Sequence, residues 1–153
     1  MHAISGIPKY HLDQLYWRPG WVETDKPSFT AKVLKIITSD AWIIDGNYST
    51  NVEQRMARAD TIVMTDIPTW KAIYRVIKRR FQYKGETRPD MTEGCVEKID
   101  WEFIHYVLMY NRTRRPGNLR RIERFCQDKR VYVLKNEHDK VNFLNDYRQA
   151  LLA

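Results

Sequence analysis

Ala41-Trp-Ile-Ile-Asp-Gly-Asn-Tyr-Ser49 decides how the rest of this chain is read. Its first half is apolar without polar alternation, the pattern of a strand buried on both faces, and Gly46-Asn47 ends it. Thr61-Ile-Val-Met-Thr65 has the same character and runs into Asp66-Ile-Pro68. Val131-Tyr-Val-Leu134 predicts a further short strand, and Ile7 to Leu12 a weaker one. Helical spacing fills the gaps. Phe29, Val33, Ile36 and Ile37 mark a helix over 27–39 with Pro27 near its start. Trp70, Ile73, Tyr74, Ile77 and Phe81 mark one face of a long helix from Pro68. Ile99, Phe103, Ile104, Val107 and Leu108 mark another, broken at Pro116-Gly117. Asn136 caps a closing helix through Val141, Phe143, Leu144, Tyr147 and Leu151. Apolar strands joined by helices predict one α/β domain over 1–153, a parallel sheet covered on both faces, with 84–96 as a loop or lid.

The composition agrees. The 153 residues are 43% hydrophobic and 29% charged, which excludes a disordered chain. No apolar run approaches the roughly 20 residues of a membrane span. The opening MHAISGIPKYHL has neither the basic start nor the unbroken apolar stretch of a signal peptide. Two cysteines make no disulfide framework. The expectation is a cytoplasmic protein with no membrane partner. Residues 75–130 hold 15 Lys/Arg against 8 Asp/Glu, and the rest of the chain is balanced. That stretch calls for an anionic partner, or is a solvated helical face.

Ligands of open α/β sheets bind beyond the carboxyl ends of the strands. Those positions hold Asp13, Asp45-Gly-Asn-Tyr48 and Asp66. Each alone is as readily a turn or a cap. Together, opposite a basic stretch, they favour an anion site with a metal ion between carboxylates and phosphates.

These residues belong to a longer series. His11-Leu-Asp13, Trp17-Arg-Pro-Gly-Trp21, Trp42-Ile-Ile-Asp-Gly-Asn-Tyr-Ser49, Arg58-Ala-Asp60, Arg75-Val-Ile-Lys-Arg-Arg80, Gly85-Glu-Thr-Arg-Pro-Asp-Met91 and Gly94-Cys95 follow in order. The series resembles the bacterial DNA topology modulation proteins, which look like P-loop kinases related to adenylate kinase. The likeness runs from about Ile4 to Asn142-Phe-Leu144. It implies a three-layer parallel sheet with helices on both faces and a small lid, ATP and Mg²⁺ as cofactors, and phosphate transfer to a small acceptor such as a nucleotide.

One departure stands out. None of the six glycines precedes Lys-Ser or Lys-Thr, so the G-x-x-x-x-G-K-[ST] loop of such kinases is absent. Met1 to Gly6 resembles the end of the helix that follows that loop. The resemblance thus implies a missing segment of roughly 20–30 residues, comprising the central first strand, the loop and most of a helix. A chain without that strand is expected to be poorly stable, rearranged, or completed by another chain through its unpaired strand edges.

By the same resemblance Asp45 holds Mg²⁺ through water. Gly46, Asn47 and Tyr48 contact the acceptor, Asp13 orients or deprotonates it, and Arg18 takes a phosphate. Arg75 lies over the donor base and Arg79 contacts phosphate. Arg88 in the lid and Arg115, or Arg114, close over the transferring group. The first expectation is therefore a kinase-like phosphotransferase, inactive without its loop. The alternatives are a nucleic-acid-binding protein, suggested by the family's name and by aromatics among the basic residues 101–125, or a non-catalytic remnant.

Overall fold

A computed structural model describes residues 1–152. In chain order the elements are α1 (His2–Ser5), β1 (Lys9–His11), α2 (Leu12–Tyr16), β2 (Trp17–Arg18), β3 (Val22–Glu23), α3 (Lys26–Ile37), β4 (Ile43–Asp45) and α4 (Val52–Arg58). They continue as β5 (Thr61–Thr65), α5 (Thr69–Gln82), α6 (Trp101–Thr113), α7 (Arg115–Phe125), β6 (Arg130–Leu134) and α8 (Glu137–Leu152). The fold is mixed α/β with small parallel sheets. β1 pairs in parallel with β4, His11 standing opposite Asp45, and β5 pairs in parallel with β6 from Thr61↔Arg130 to Thr65↔Leu134. The two-residue strands β2 and β3 form an antiparallel hairpin. Each ladder is two-stranded, so among the described residues β4 and β5 each have one hydrogen-bonded neighbour.

The chain divides into two compact units. The first comprises Met1–Arg58, Gly85–Glu97 and Tyr147–Ala153, the second Ala59–Lys84 and Lys98–Asp146. In the first, Leu12, Phe29, Val33 and Ile37 are buried together, and Leu15, Tyr16, Trp42, Ile44 and Tyr48 pack around them. α3 presents Phe29, Val33 and Ile37 at helical spacing. Its start is fixed by Asp25, whose carboxylate accepts the Ser28 N–H at 2.9 Å, and by Pro27 in the first turn. In the second unit Ile62, Met64, Val76, Ile122 and Phe143 are buried. Asn136 accepts the Asp139 N–H at 3.0 Å and starts α8 as its type predicts.

Three local expectations are corrected. The chain breaks at Arg114, ahead of Pro116-Gly117, because proline without an N–H suits the first turn of α7 better than the end of α6. Ile99 lies outside α6, whose N-cap is Asp100, accepting from Phe103 N at 2.8 Å. The largest correction concerns α5. The stripe Trp70, Tyr74, Ile77 and Phe81 faces solvent, Ile73 is half-buried, and Val76 on another side of the helix is the buried contact. Periodicity detects an apolar face; it does not say what covers it.

No helix among the described residues is long and apolar enough to cross a membrane.

Candidate functional site

The carboxyl ends of β1 and β4 bring five of the predicted residues into one cluster. His11 Nδ1 donates to Asp45 Oδ2 at 3.1 Å; the Asp45 side chain is 71% exposed and that of His11 15%. Two residues along, in the first turn of α2, Asp13 Oδ1 accepts the Tyr48 hydroxyl at 2.6 Å. Burial and the Asp13 carboxylate push the Tyr48 phenol well above its usual pKa, so it remains a donor. Asn47, between them, is exposed. Gly46 is demanded by packing: its φ is 141°, and a Cβ there would lie 2.7 Å from the Cβ of buried Leu12. The close approach that glycine permits is therefore made to Leu12. The Tyr48 ring lies 5.0 Å from that of Tyr16 and 5.2 Å from that of Phe29, within the core.

Arg55 organises this loop from α4, a residue that the motifs in the sequence do not single out. Its Nη2 donates to the Tyr48 carbonyl at 2.6 Å, Nη1 to the Gly46 carbonyl at 3.4 Å, and Nε to Asn51 Oδ1 at 3.1 Å. Burial lowers its pKa to about 10. The signal available was Asn51 and Arg55 spaced i,i+4 directly after the Gly46-to-Thr50 loop.

Arg18 sits on the β2–β3 hairpin and donates to the Glu23 carbonyl at 2.8 Å. Trp21 in the same hairpin has φ 62°, a backbone costing about 1–3 kcal/mol for a bulky residue. It is held there by an indole N–H bond to the Val96 carbonyl at 3.0 Å and an edge contact with Trp17.

The segment expected as a lid is pinned to this hairpin and to α2. Gly20 N donates to the Gly94 carbonyl, Gln14 Nε2 to the Pro89 carbonyl, and Thr92 Oγ1 to the Trp17 carbonyl at 2.6 Å. Cys95 is fully buried. Arg88 is buried and engaged by two carboxylates, Glu97 at 2.7 Å and Asp90 at 2.9 Å, with Glu97 only 2% exposed. Its guanidinium is thus committed inside its own segment.

The remaining predicted residues lie in the second unit. Asp66 follows β5 and is gripped bidentately by Arg115, at 2.7 and 2.8 Å, from the first residue of α7. The Arg115 guanidinium holds the Asp66 carboxyl below the usual range. Arg75 meets Glu137 at 3.2 Å, and the Arg79 guanidinium lies 5.6 Å from the Phe103 ring centroid.

The donor set suits one kind of metal contact. Among the described residues no three His, Cys, Asp or Glu side chains gather as a direct metal cage. A single exposed carboxylate such as Asp45 suits Mg²⁺ held through its waters, since that ion keeps several waters and shares its shell with substrate phosphates. The phosphates of ATP find no glycine-rich cradle in the chain. Comparison with family models, curated proteins and solved structures finds no match.

Proposed function

We propose that this chain supplies the acceptor side of a P-loop kinase-like phosphotransferase and transfers no phosphate until a strand and phosphate loop complete it. The observation that carries the reading is the split pairing: β1 with β4 and β5 with β6 are parallel pairs, and among the described residues β4 and β5 each lack a second neighbour. Parallel strands are ordinarily buried within larger sheets, and a two-stranded pair is marginal in water. Both of these half-paired strands lead into an aspartate at the carboxyl end, Asp45 and Asp66, where such sheets bind ligands.

In this reading Tyr48 fixes one oxygen of Asp13, orienting the carboxylate to accept a proton from the acceptor hydroxyl. Asp45, steadied by His11, would hold a nucleotide-bound Mg²⁺ through its waters, and the ion would supply charge neutralisation at the phosphates. By the resemblance ATP would supply the phosphoryl group, Arg75 would lie over its base, and Arg79 and Arg115 would oppose its charge. The acceptor is a small molecule, a nucleoside monophosphate being the first to try. The free cysteines Cys95 and Cys126 are in keeping with a cytoplasmic setting.

The test compares the chain with a version preceded by about 25 residues carrying a strand, G-x-x-x-x-G-K-[ST] and a helix. The chain alone should turn over no ATP. The completed version should melt more cooperatively, gain thermal protection from ATP–Mg²⁺, and transfer phosphate to a nucleoside monophosphate. An extended version that neither gains stability nor binds ATP would sink the proposal.

A further inference from the structure

Helix α5 is apolar on the side that none of the described residues of its unit covers. Trp70, Tyr74, Ile77 and Phe81 are 67%, 61%, 45% and 77% exposed. At about 100° and 1.5 Å per residue, they fall within about 60° of one another and form a ridge about 16 Å long. Trp101, at the start of α6, is 77% exposed as well, and α6 packs on α5. Aromatic rings turned to water over such a length mark a binding surface more often than chance.

The charge beside the ridge selects the occupant. From Thr69 to Lys84 the chain carries six Lys/Arg and no Asp/Glu. Lys71, Arg75 and Lys78 run along one flank of the ridge by helical spacing. The Lys71 ammonium lies 5.6 Å from the Trp70 ring centroid, and Lys78 is exposed. The whole second unit holds 17 Lys/Arg and 9 Asp/Glu. A second copy docking by this face would set one row of cations against another. A nucleic-acid duplex keeps its base faces stacked inside. A single strand presents both a row of phosphates and flat apolar bases, the complement of a cationic row beside aromatic rings.

We propose that the α5 ridge binds single-stranded nucleic acid, its bases stacking on Trp70, Tyr74 and Phe81 and its phosphates meeting Lys71 and Lys78. The inference rests on exposure and charge in the second unit and is independent of the phosphotransfer reading.

Fluorescence anisotropy with the full chain tests it, using labelled oligo-dT and oligo-U of about 12 nucleotides over a salt series. Both strands should bind, with log affinity falling linearly in log salt, and the same sequence in duplex form should bind more weakly. Trp70→Ala and Phe81→Ala should each weaken binding about tenfold while leaving the melting curve unchanged, and Trp70→Phe should retain most of the affinity. Lys78→Ala should lower the salt slope by about 0.7. Binding undiminished in the Trp70→Ala/Phe81→Ala double variant would overturn the proposal, because charge alone would then suffice. So would preference for the duplex, binding to phosphatidylserine vesicles without binding to oligonucleotides, or a wild-type dimer that Phe81→Ala dissociates.

Discussion

Phe29 and Phe81 are the same residue in opposite circumstances: the first is 1% exposed in the core of one unit, the second 77% exposed on the surface of the other. The contrast extends to the units themselves. The first unit gathers the rings of Tyr16, Phe29 and Tyr48 within 5.0–5.3 Å of one another and carries nine Lys/Arg against ten Asp/Glu. The second turns the aromatic side chains of α5 outward and carries the whole basic excess. Aromatic surface withdrawn from water stabilises a fold, whereas the same surface left in water beside cations is available to a ligand. The first unit is accordingly built around its interior and the second around its face.

Exchanging those phenylalanines for alanine is the most direct way to break that contrast. Phe29→Ala should cost about 3–5 kcal/mol of stability, enough to unfold much of a marginal domain, whereas Phe81→Ala should stay within about 0.5 kcal/mol. Urea unfolding followed by tryptophan fluorescence measures both. Comparable losses would mean that the α5 ridge is covered after all. Charge pairs repeat the pattern. Arg88→Ala strands the Glu97 carboxylate, 2% exposed, in the interior and should cost about 3–5 kcal/mol. Arg75→Ala, from a pair with both side chains more than half exposed, should leave the urea midpoint where it was.

What could be read from sequence follows the same division. The strands at 43–45, 61–65 and 130–134 were legible because a short, β-branched apolar run between turn residues is too brief for a helix and too apolar for a loop. Of the three strand-end aspartates, Asp13 and Asp45 fall with Tyr48 in the first unit, as the binding position of strand ends predicts, whereas Asp66 belongs to the second and is taken by Arg115. β2 and β3 were not legible, since two residues cannot display an alternation. The Arg88–Glu97 pair was not, since nothing in an irregular segment fixes which charges meet. The orientation of α5 was beyond reach for a different reason. Its pattern was read correctly as one-sided, but whether that side meets a core or a partner depends on chain elsewhere.

Gly46 sharpens the account of the first unit, because its close approach is to Leu12 and it precedes the candidate acceptor residues Asn47 and Tyr48. Gly46→Ala must place a methyl group 2.7 Å from the Leu12 Cβ on a backbone with positive φ, and should cost about 2–4 kcal/mol. Gly85→Ala also has positive φ, but nothing lies within 4 Å of the added carbon, so only the backbone strain of about 1 kcal/mol should appear. Equal losses would show that backbone conformation, and not contact with Leu12, requires the glycine at 46.

The smallest effect concerns acid. Arg115 depresses the Asp66 pKa in the folded protein, so the unfolded chain binds the proton more tightly. The stabilisation is therefore complete above the ordinary aspartate value of about 3.9 and is lost as pH falls through the lower folded value. Asp66→Asn should lower the urea midpoint at pH 7 and flatten the acid limb of a plot of midpoint against pH, with the two curves drawing together only below the ordinary aspartate value. Asp25 and Glu137 are also held low, by the Ser28 N–H and by Lys140 respectively, so both proteins keep some acid limb. Salt separates the contributions. The exposed Glu137 pairs should be screened away by about 0.5 M salt, while Asp66, 9% exposed and gripped by two hydrogen bonds, should retain its difference. Loss of that difference in salt would place Asp66 among the solvated charges of the second unit and leave Arg88–Glu97 without a counterpart there.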